Sequence, residues 1–98
     1  MKVRLVRFLR EMNHYGYPTD LGIYFIDTEL LIDPQYNMDI QIGAVTFCVE
    51  NIEQDLNLKL VCLYDYVDII YYQNYDNEGF KKERDILLTN GWKLLQIE

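Results

Sequence analysis

Short apolar runs rich in β-branched and aromatic residues recur between residues 21 and 72, and this pattern constrains the fold most. Such runs are typical of β-strands, and turn-forming residues separate them. The predicted strands are residues 21–26, 29–32, 38–49, 58–64 and 67–72. Because the links between them are short, the pattern favours an antiparallel meander.

Three breaks in this pattern carry further predictions. Gly43 followed by Ala44 indicates a bulge or bend within the long strand over residues 38–49. Residues 50–57 are polar and are predicted as a loop. Asp65 and Tyr66 are predicted to form a tight connection between the fourth and fifth strands.

The two ends of the chain have a helical period instead. Near the start, apolar residues at i, i+3, i+4 and i+7 favour a helix over residues 3–13, and a strand over residues 2–8 is the competing interpretation. A second helix is predicted over about 77–89, followed by a strand over 92–97. The apolar residues that define the first helix are Leu5, Phe8, Leu9 and Met12.

The resulting prediction is a single α+β domain of residues 1–98. It is an antiparallel β-meander of about five to six strands with two helices packed on one face. The elements follow the order α-β-β-β-β-β-α-β.

The net charge of −7 is unevenly distributed along the chain. Residues 1–14 carry +3 and residues 79–98 carry +1, whereas residues 15–78 hold twelve acids and one base, Lys59, for −11. An acidic middle disfavours direct binding to nucleic-acid phosphate or to an anionic membrane. It would attract and steer a basic protein. An even scatter of these carboxylates over the folded surface would weaken that argument.

Catalytic and metal-binding patterns are sparse. His14 is the one histidine, and Cys48 and Cys62 lie in apolar runs where a thiol acts as a small hydrophobe. These residues fall short of a zinc ligand set, and no glycine-rich phosphate loop is present. We therefore predict a protein that is not an enzyme and has no metal or cofactor. An enzyme with a carboxylate-bound metal is the weakest alternative.

The location of the protein is predicted from three further absences. No apolar run approaches the ~18 residues that span a bilayer. The first residues alternate charged and apolar side chains, unlike a signal peptide. Two cysteines are too few for a disulfide framework. We expect a cytoplasmic protein without a membrane partner.

Nine tyrosines are the second unusual feature of the composition. Packing on a half-buried sheet accounts for most of them, as turn and cap positions account for many of the acids. The remaining tyrosines lie beside aspartates, and an aromatic surface rimmed by carboxylates is typical of a protein that binds a basic groove. The predicted partner-binding residues are Asp65, Tyr66, Asp68, Tyr72, Tyr75 and Asp76, followed by Glu50, Glu53 and Asp55.

The leading functional hypothesis is a small acidic inhibitor that docks on the basic, nucleic-acid-binding surface of a partner such as a nuclease, as a nucleic-acid mimic. Phage anti-defence proteins, including anti-CRISPR proteins, and immunity proteins against nuclease toxins are similar in size, acidity and lack of catalytic motifs. The alternative is a non-catalytic structural or assembly module that forms a homodimer or larger homo-oligomer. Its exposed strand, residues 92–97 or 21–26, would pair with a second copy.

Overall fold

Seven strands and one helix make up the parts of the chain that the computed structural model describes, residues 1–12, 16–69 and 78–96. The predicted fold class is therefore wrong, because it contained two helices and a single antiparallel meander. The elements are β1 (Lys2–Met12), β2 (Pro18–Glu29), β3 (Asp39–Ile42), β4 (Val45–Cys48), β5 (Asn51–Asp55), β6 (Leu60–Asp68), α1 (Glu78–Thr89) and β7 (Lys93–Gln96).

β1 replaces the helix predicted over residues 3–13 and is the central strand of the main sheet. It pairs antiparallel with β2 along one edge and parallel with β6 along the other. Leu5 and Leu9 lie on one face of the sheet, and Phe8 lies on the other. A strand with apolar residues on both faces reproduces helical spacing by coincidence, and this explains the error.

The main sheet is mixed, in the order β5-β6-β1-β2-β7. β1 and β6 are parallel, and the other three neighbouring pairs are antiparallel. Two parallel neighbouring strands require a long crossover connection. Here the chain leaves β2, forms the β3–β4 hairpin and β5, and returns as β6 beside β1. The meander prediction failed because it assumed that consecutive strands pair.

The long strand predicted over residues 38–49 is a two-stranded hairpin of β3 and β4. Ile42 pairs with Val45, so that Gly43 and Ala44 form a two-residue turn instead of a bulge. Gly43 has a φ of 57°, in the left-handed region that favours glycine.

Three smaller predictions also differ from the structure. Residues 50–57 are not a loop throughout, because β5 runs along the sheet edge from Asn51 to Asp55. Asp65 and Tyr66 do not connect two strands, since both lie inside β6. Residues 30–32 form no strand, because β2 ends at Glu29.

The β3–β4 hairpin and α1 cover one face of the main sheet. Alternate residues of β1 contribute to the core there, and Arg7 lies among them. Phe47 of the hairpin lies 6.0 Å from Trp92, measured between ring centroids. The core cluster comprises Val3, Leu5, Leu9, Tyr24, Ile40, Val45, Phe47, Val49, Leu63, Ile69, Leu87 and Trp92.

The helix predicted over about 77–89 is confirmed as α1, and the strand after it is confirmed as β7. The side-chain amide of Asn90 links this region to the hairpin. Its nitrogen donates to the Ile86 carbonyl at 2.7 Å, and its oxygen accepts the Ala44 N–H at 3.0 Å. α1 has 12 residues, several of them charged. Within the described ranges, then, no helix has the length and apolar character to cross a membrane.

Candidate partner-binding face

The second face of the main sheet, which we call the open face, is built from the other set of alternating residues. None of them belongs to the core cluster or to the partly buried hydrophobic residues packed against it, although Val6, Ile23 and Cys62 are themselves buried. Because residues paired across strands share a face, the register defines its members. They are Arg4, Val6, Phe8 and Arg10 of β1, Cys62, Tyr64, Tyr66 and Asp68 of β6, Ile23, Phe25 and Asp27 of β2, and Asn51 and Glu53 of β5.

Arg4 sits between an aromatic ring and a carboxylate on the open face. Its guanidinium lies 4.3 Å from the ring centroid of Phe25. Its Nε and Nη2 donate to the two carboxylate oxygens of Asp27 at 2.8 and 3.0 Å. This hydrogen bonding lowers the pKa of Asp27, so the carboxylate is ionised at neutral pH.

Arg10 repeats the arrangement on the other side of β1. Its guanidinium lies 4.5 Å from the ring centroid of Tyr66, and its Nη2 lies 3.2 Å from a carboxylate oxygen of Asp68. In both cases the ring and the acid are two residues apart on one strand, so strand geometry places them on the same face. The open face therefore contains two arginine–aromatic–carboxylate units.

A shallow, open pocket of about 280 Å³ lies on the β5–β6 side of this face, and we call it the aromatic pocket. The ring of Phe8 stacks on Tyr66 with centroids 5.0 Å apart and lies 5.9 Å from the ring of Tyr64. Burial, with the nearby Cys62 and Glu53, raises the pKa of Tyr64 to about 12. The phenol is therefore neutral at physiological pH. The pocket is lined by Phe8, Asn51, Glu53, Tyr64 and Tyr66.

A larger cavity, about 350 Å³, lies where β1 begins and β2 ends. Its charged lining residues include Lys2, Asp27 and Glu29. Asp27 is already bound to Arg4, and none of the described residues that line the cavity is aromatic. It therefore offers less for recognition than the aromatic pocket.

Asp65 is in the interior, so the structure removes it from the predicted binding surface. Its side chain is on the covered face of β6 and the residue is 3% exposed. Arg7 donates to it from Nε at 3.0 Å and from Nη2 at 2.7 Å. The same Nη2 donates to the Thr46 carbonyl of the hairpin at 2.5 Å. This ion pair has a structural position beneath the hairpin.

The other predicted residues fall into three groups. Tyr66, Asp68 and Glu53 lie on the open face, and Tyr66 and Glu53 line the aromatic pocket. Glu50 accepts the Tyr66 N–H at 2.6 Å, and Asp55 accepts two N–H groups in the β5–β6 turn. The remaining three lie outside the described residues: Tyr72, Tyr75 and Asp76.

Sequence reasoning did not select Phe8, Asn51 and Tyr64, which complete the pocket. The sequence pattern predicts a helix around Phe8 and a loop around Asn51, and neither prediction places these residues beside β6. Tyr64, Tyr66 and Asp68 are two residues apart, as residues on one face of a strand are. This spacing identifies the face only when residues 58–68 are treated as one continuous strand.

The charges are less segregated in the fold than in the sequence. β1, which holds four of the nine basic residues, lies between acidic strands. Its arginines pair with Asp27, Asp65 and Asp68 of the acidic middle. These pairs neutralise part of the −11, so the twelve carboxylates do not act as one acidic surface. The argument that carboxylates attract a basic partner therefore applies to the β5–β6 side of the sheet, where Glu50 and Glu53 are exposed.

The cysteines offer no activated nucleophile. Cys48 and Cys62 are free thiols, and burial raises the pKa of both, which disfavours the reactive thiolate. Among the residues that the structure describes, no three His, Cys, Asp or Glu side chains group as metal ligands. His14 lies outside those residues. Comparisons with known protein families, with characterised proteins and with solved structures return no match to this chain.

Proposed function

We propose that this chain is a non-catalytic inhibitor or interaction protein that binds a basic surface of a partner protein through the β5–β6 side of its open face. The observation that carries the proposal is the position of Glu53, an exposed carboxylate beside three aromatic rings that line one pocket. Aromatic side chains supply contact area at low entropic cost, and the carboxylate supplies charge complementarity.

The net charge supports the same class of partner. A chain of charge −7 is repelled by nucleic-acid phosphate and is steered toward basic proteins. Enzymes that bind nucleic acids carry such basic surfaces, so the proposed partner is a nuclease or a related enzyme, as in anti-defence or immunity proteins. A reducing, cytoplasmic location accords with the two free thiols, Cys48 and Cys62.

Affinity capture from a lysate of the source cell, with matched charge reversals, tests this proposal. Wild-type protein is compared with Glu53→Lys and with Asp33→Lys, which makes the same charge change in the segment after β2. We expect basic proteins to bind at low salt, to elute as salt approaches ~0.5 M, and to be lost with Glu53→Lys alone. Retention of no basic protein, or equal losses with both variants, would contradict the proposal.

A homo-oligomeric assembly module is the second candidate, and the position of β7 favours it. β7 is an edge strand of the main sheet, and Leu94 and Leu95 are 45% and 49% exposed. An exposed apolar edge can pair with the same strand of a second copy. The other predicted pairing segment, residues 21–26, lies in β2 between β1 and β7 and has no such open edge where β7 covers it.

A further inference from the structure

Each of the two arginine–aromatic–carboxylate units on the open face binds a guanidinium group of this chain. In each unit a guanidinium lies over a ring, at 4.3 Å for Arg4 and 4.5 Å for Arg10, and an aspartate holds it there. Guanidinium groups stack on aromatic rings and form directed hydrogen bonds with carboxylates, so the two contacts reinforce each other.

The aromatic pocket contains the same components except the cation. Tyr64 and Phe8 provide rings and Glu53 provides the carboxylate, and no basic residue lines the pocket among the residues that the structure describes. Tyr66 has Arg10 near its ring and also stacks on Phe8, so Phe8 and Tyr64 continue the row toward Glu53. The row of rings thus runs from Arg10 to Glu53, whose carboxylate is exposed to solvent.

We propose that the aromatic pocket binds an arginine side chain of the partner protein, an inference that rests on the proposed function and names its recognition element. The guanidinium lies against the ring of Tyr64 or Phe8, and the Glu53 carboxylate accepts its hydrogen bonds. Asn51, directly across from Tyr64, lines the same pocket. Its side-chain oxygen accepts the Ile52 N–H at 2.9 Å and has a second lone pair for a further polar contact. The cavity volume of about 280 Å³ accommodates one such side chain.

Arginine is favoured over lysine for a physical reason. A guanidinium is planar, so it can stack on a ring while its edge donates two parallel hydrogen bonds to a carboxylate. Within this chain, Arg4 and Asp27 have this geometry, with two hydrogen bonds between them. An ammonium group is a more strongly hydrated point charge and gains less from the same surroundings.

Titration of the full chain with short peptides, followed by NMR, tests the inference. The probes are acetylated and amidated Gly-Gly-Xaa-Gly-Gly peptides in which Xaa is arginine, lysine or citrulline. We expect saturable shifts of Tyr64, Asn51 and Glu53 signals with the arginine peptide, at a Kd of about a millimolar. The lysine peptide should bind several-fold more weakly, and the uncharged citrulline peptide should cause no saturable shift.

Two variants separate the pocket from general charge. Glu53→Gln keeps the shape of an exposed side chain, and we expect it to weaken arginine-peptide binding about tenfold. Asp33→Asn removes the same charge outside the pocket lining and should leave the Kd unchanged. The inference is overturned if citrulline binds as well as arginine, or if the two variants behave alike.

The peptide experiment and the capture experiment can fail separately. Capture of basic proteins that depends on Glu53, with no arginine-selective peptide binding, would overturn the pocket assignment and leave the proposed function standing. Arginine-selective binding that Glu53→Gln weakens, with no basic protein captured, would overturn the proposed function and support the pocket as an arginine site.

Discussion

Arg7 and Asp65 form an ion pair beneath the β3–β4 hairpin, at 7% and 3% exposure. Arg7 bonds to both Asp65 and the Thr46 carbonyl, so a single guanidinium joins β1, β6 and the hairpin. Burying two charges is costly, and their attraction in a low-dielectric interior offsets that cost only while both are present. The pair therefore contributes more to the specificity of hairpin docking than to net stability.

Loss of one member of this pair should destabilise the fold strongly. Arg7→Met leaves the Asp65 carboxylate buried without its cation, and we expect the free energy of unfolding to fall by about 3–5 kcal/mol. The penalty should shrink as pH falls, because an unpaired buried carboxylate has a raised pKa and is relieved by protonation. Urea denaturation at neutral and mildly acidic pH measures both effects.

The double variant Arg7→Met/Asp65→Leu is the control for this prediction. It removes both charges, so it should recover much of the stability lost in the single variant. A double variant no more stable than Arg7→Met at neutral pH would show that the pair contributes net stability and would contradict this account.

Tyr64 should make the protein sensitive to alkaline pH. Its pKa is raised to about 12 in the folded chain, above the ordinary value of 10.0. Between these values the folded state holds the proton that the unfolded state has released, so the free energy of unfolding falls as pH rises. Tyr64→Phe has no phenol proton and should lose less stability than wild type across this window.

Urea midpoints at about pH 9 and about pH 11 test this expectation, with Tyr36→Phe as the matched control. Tyr36 is 61% exposed in the segment between β2 and β3, away from the aromatic pocket, so Tyr36→Phe removes a hydroxyl there and we expect Tyr64→Phe to lose less stability than Tyr36→Phe. Equal alkaline losses in all three proteins would refute the role assigned to Tyr64.

At the scale of elements, Gly43 and Asn90 determine how the hairpin is joined to the rest of the fold. A Cβ on Gly43 would lie 2.2 Å from the Asn90 side-chain oxygen, and the φ of 57° is unfavourable for alanine. The strained φ alone costs about 1–2 kcal/mol. We therefore expect Gly43→Ala to lower the free energy of unfolding by more than that, as measured by urea denaturation.

Gly16→Ala provides the comparison for the turn. Gly16 also has a left-handed φ, 81°, but apart from its chain neighbours no atom of the described residues lies within 4 Å of a Cβ at that position. The difference between the two variants therefore isolates the contact with Asn90. Equal losses in both would mean that the Asn90 contact adds nothing.

An element could be predicted from the sequence where its pattern of apolar residues fits only one type of secondary structure. α1 has a helical stripe, and Asn90–Gly91 follows it, so the sequence predicts its position. β1 has apolar residues on both faces, because it is the central strand, and its spacing satisfies a helix and a strand equally. Strand order was beyond reach, since the parallel pairing of β1 with β6 joins residues about 58 positions apart.

The same limit applies to the candidate site. Tyr66, Asp68 and Glu53 could be selected from composition, because tyrosines and acids cluster between residues 50 and 76. Asp65 was selected with them although the period of two puts it on the opposite face of β6. Phe8 and Asn51 reach the pocket only through the pairing of β1 and β5 with β6, which no local pattern encodes.

For the whole molecule, the fold changes the meaning of the charge pattern. The basic segment at the start of the chain becomes the central strand, and its arginines are paired with carboxylates on both sides. The acids that are not paired with these arginines, including those on the β5 side, remain to attract a basic partner at long range. The sheet therefore presents an acidic edge at β5 and an apolar edge at β7, separated by three strands.

This separation allows the homo-oligomer hypothesis to be tested without disturbing the aromatic pocket. If β7 pairs with a second copy, light scattering will show a mass that rises with protein concentration toward a dimer. Leu94→Lys places a charge on the edge strand and should abolish that rise. Leu56→Lys changes a leucine that is 80% exposed in the β5–β6 turn, at the opposite edge of the sheet, and should leave the rise unchanged. A monomer at every concentration, or equal effects of the two variants, would exclude pairing through β7. Arginine-peptide binding should be the same in wild type and Leu94→Lys, because three strands lie between β7 and the β5 edge of the pocket.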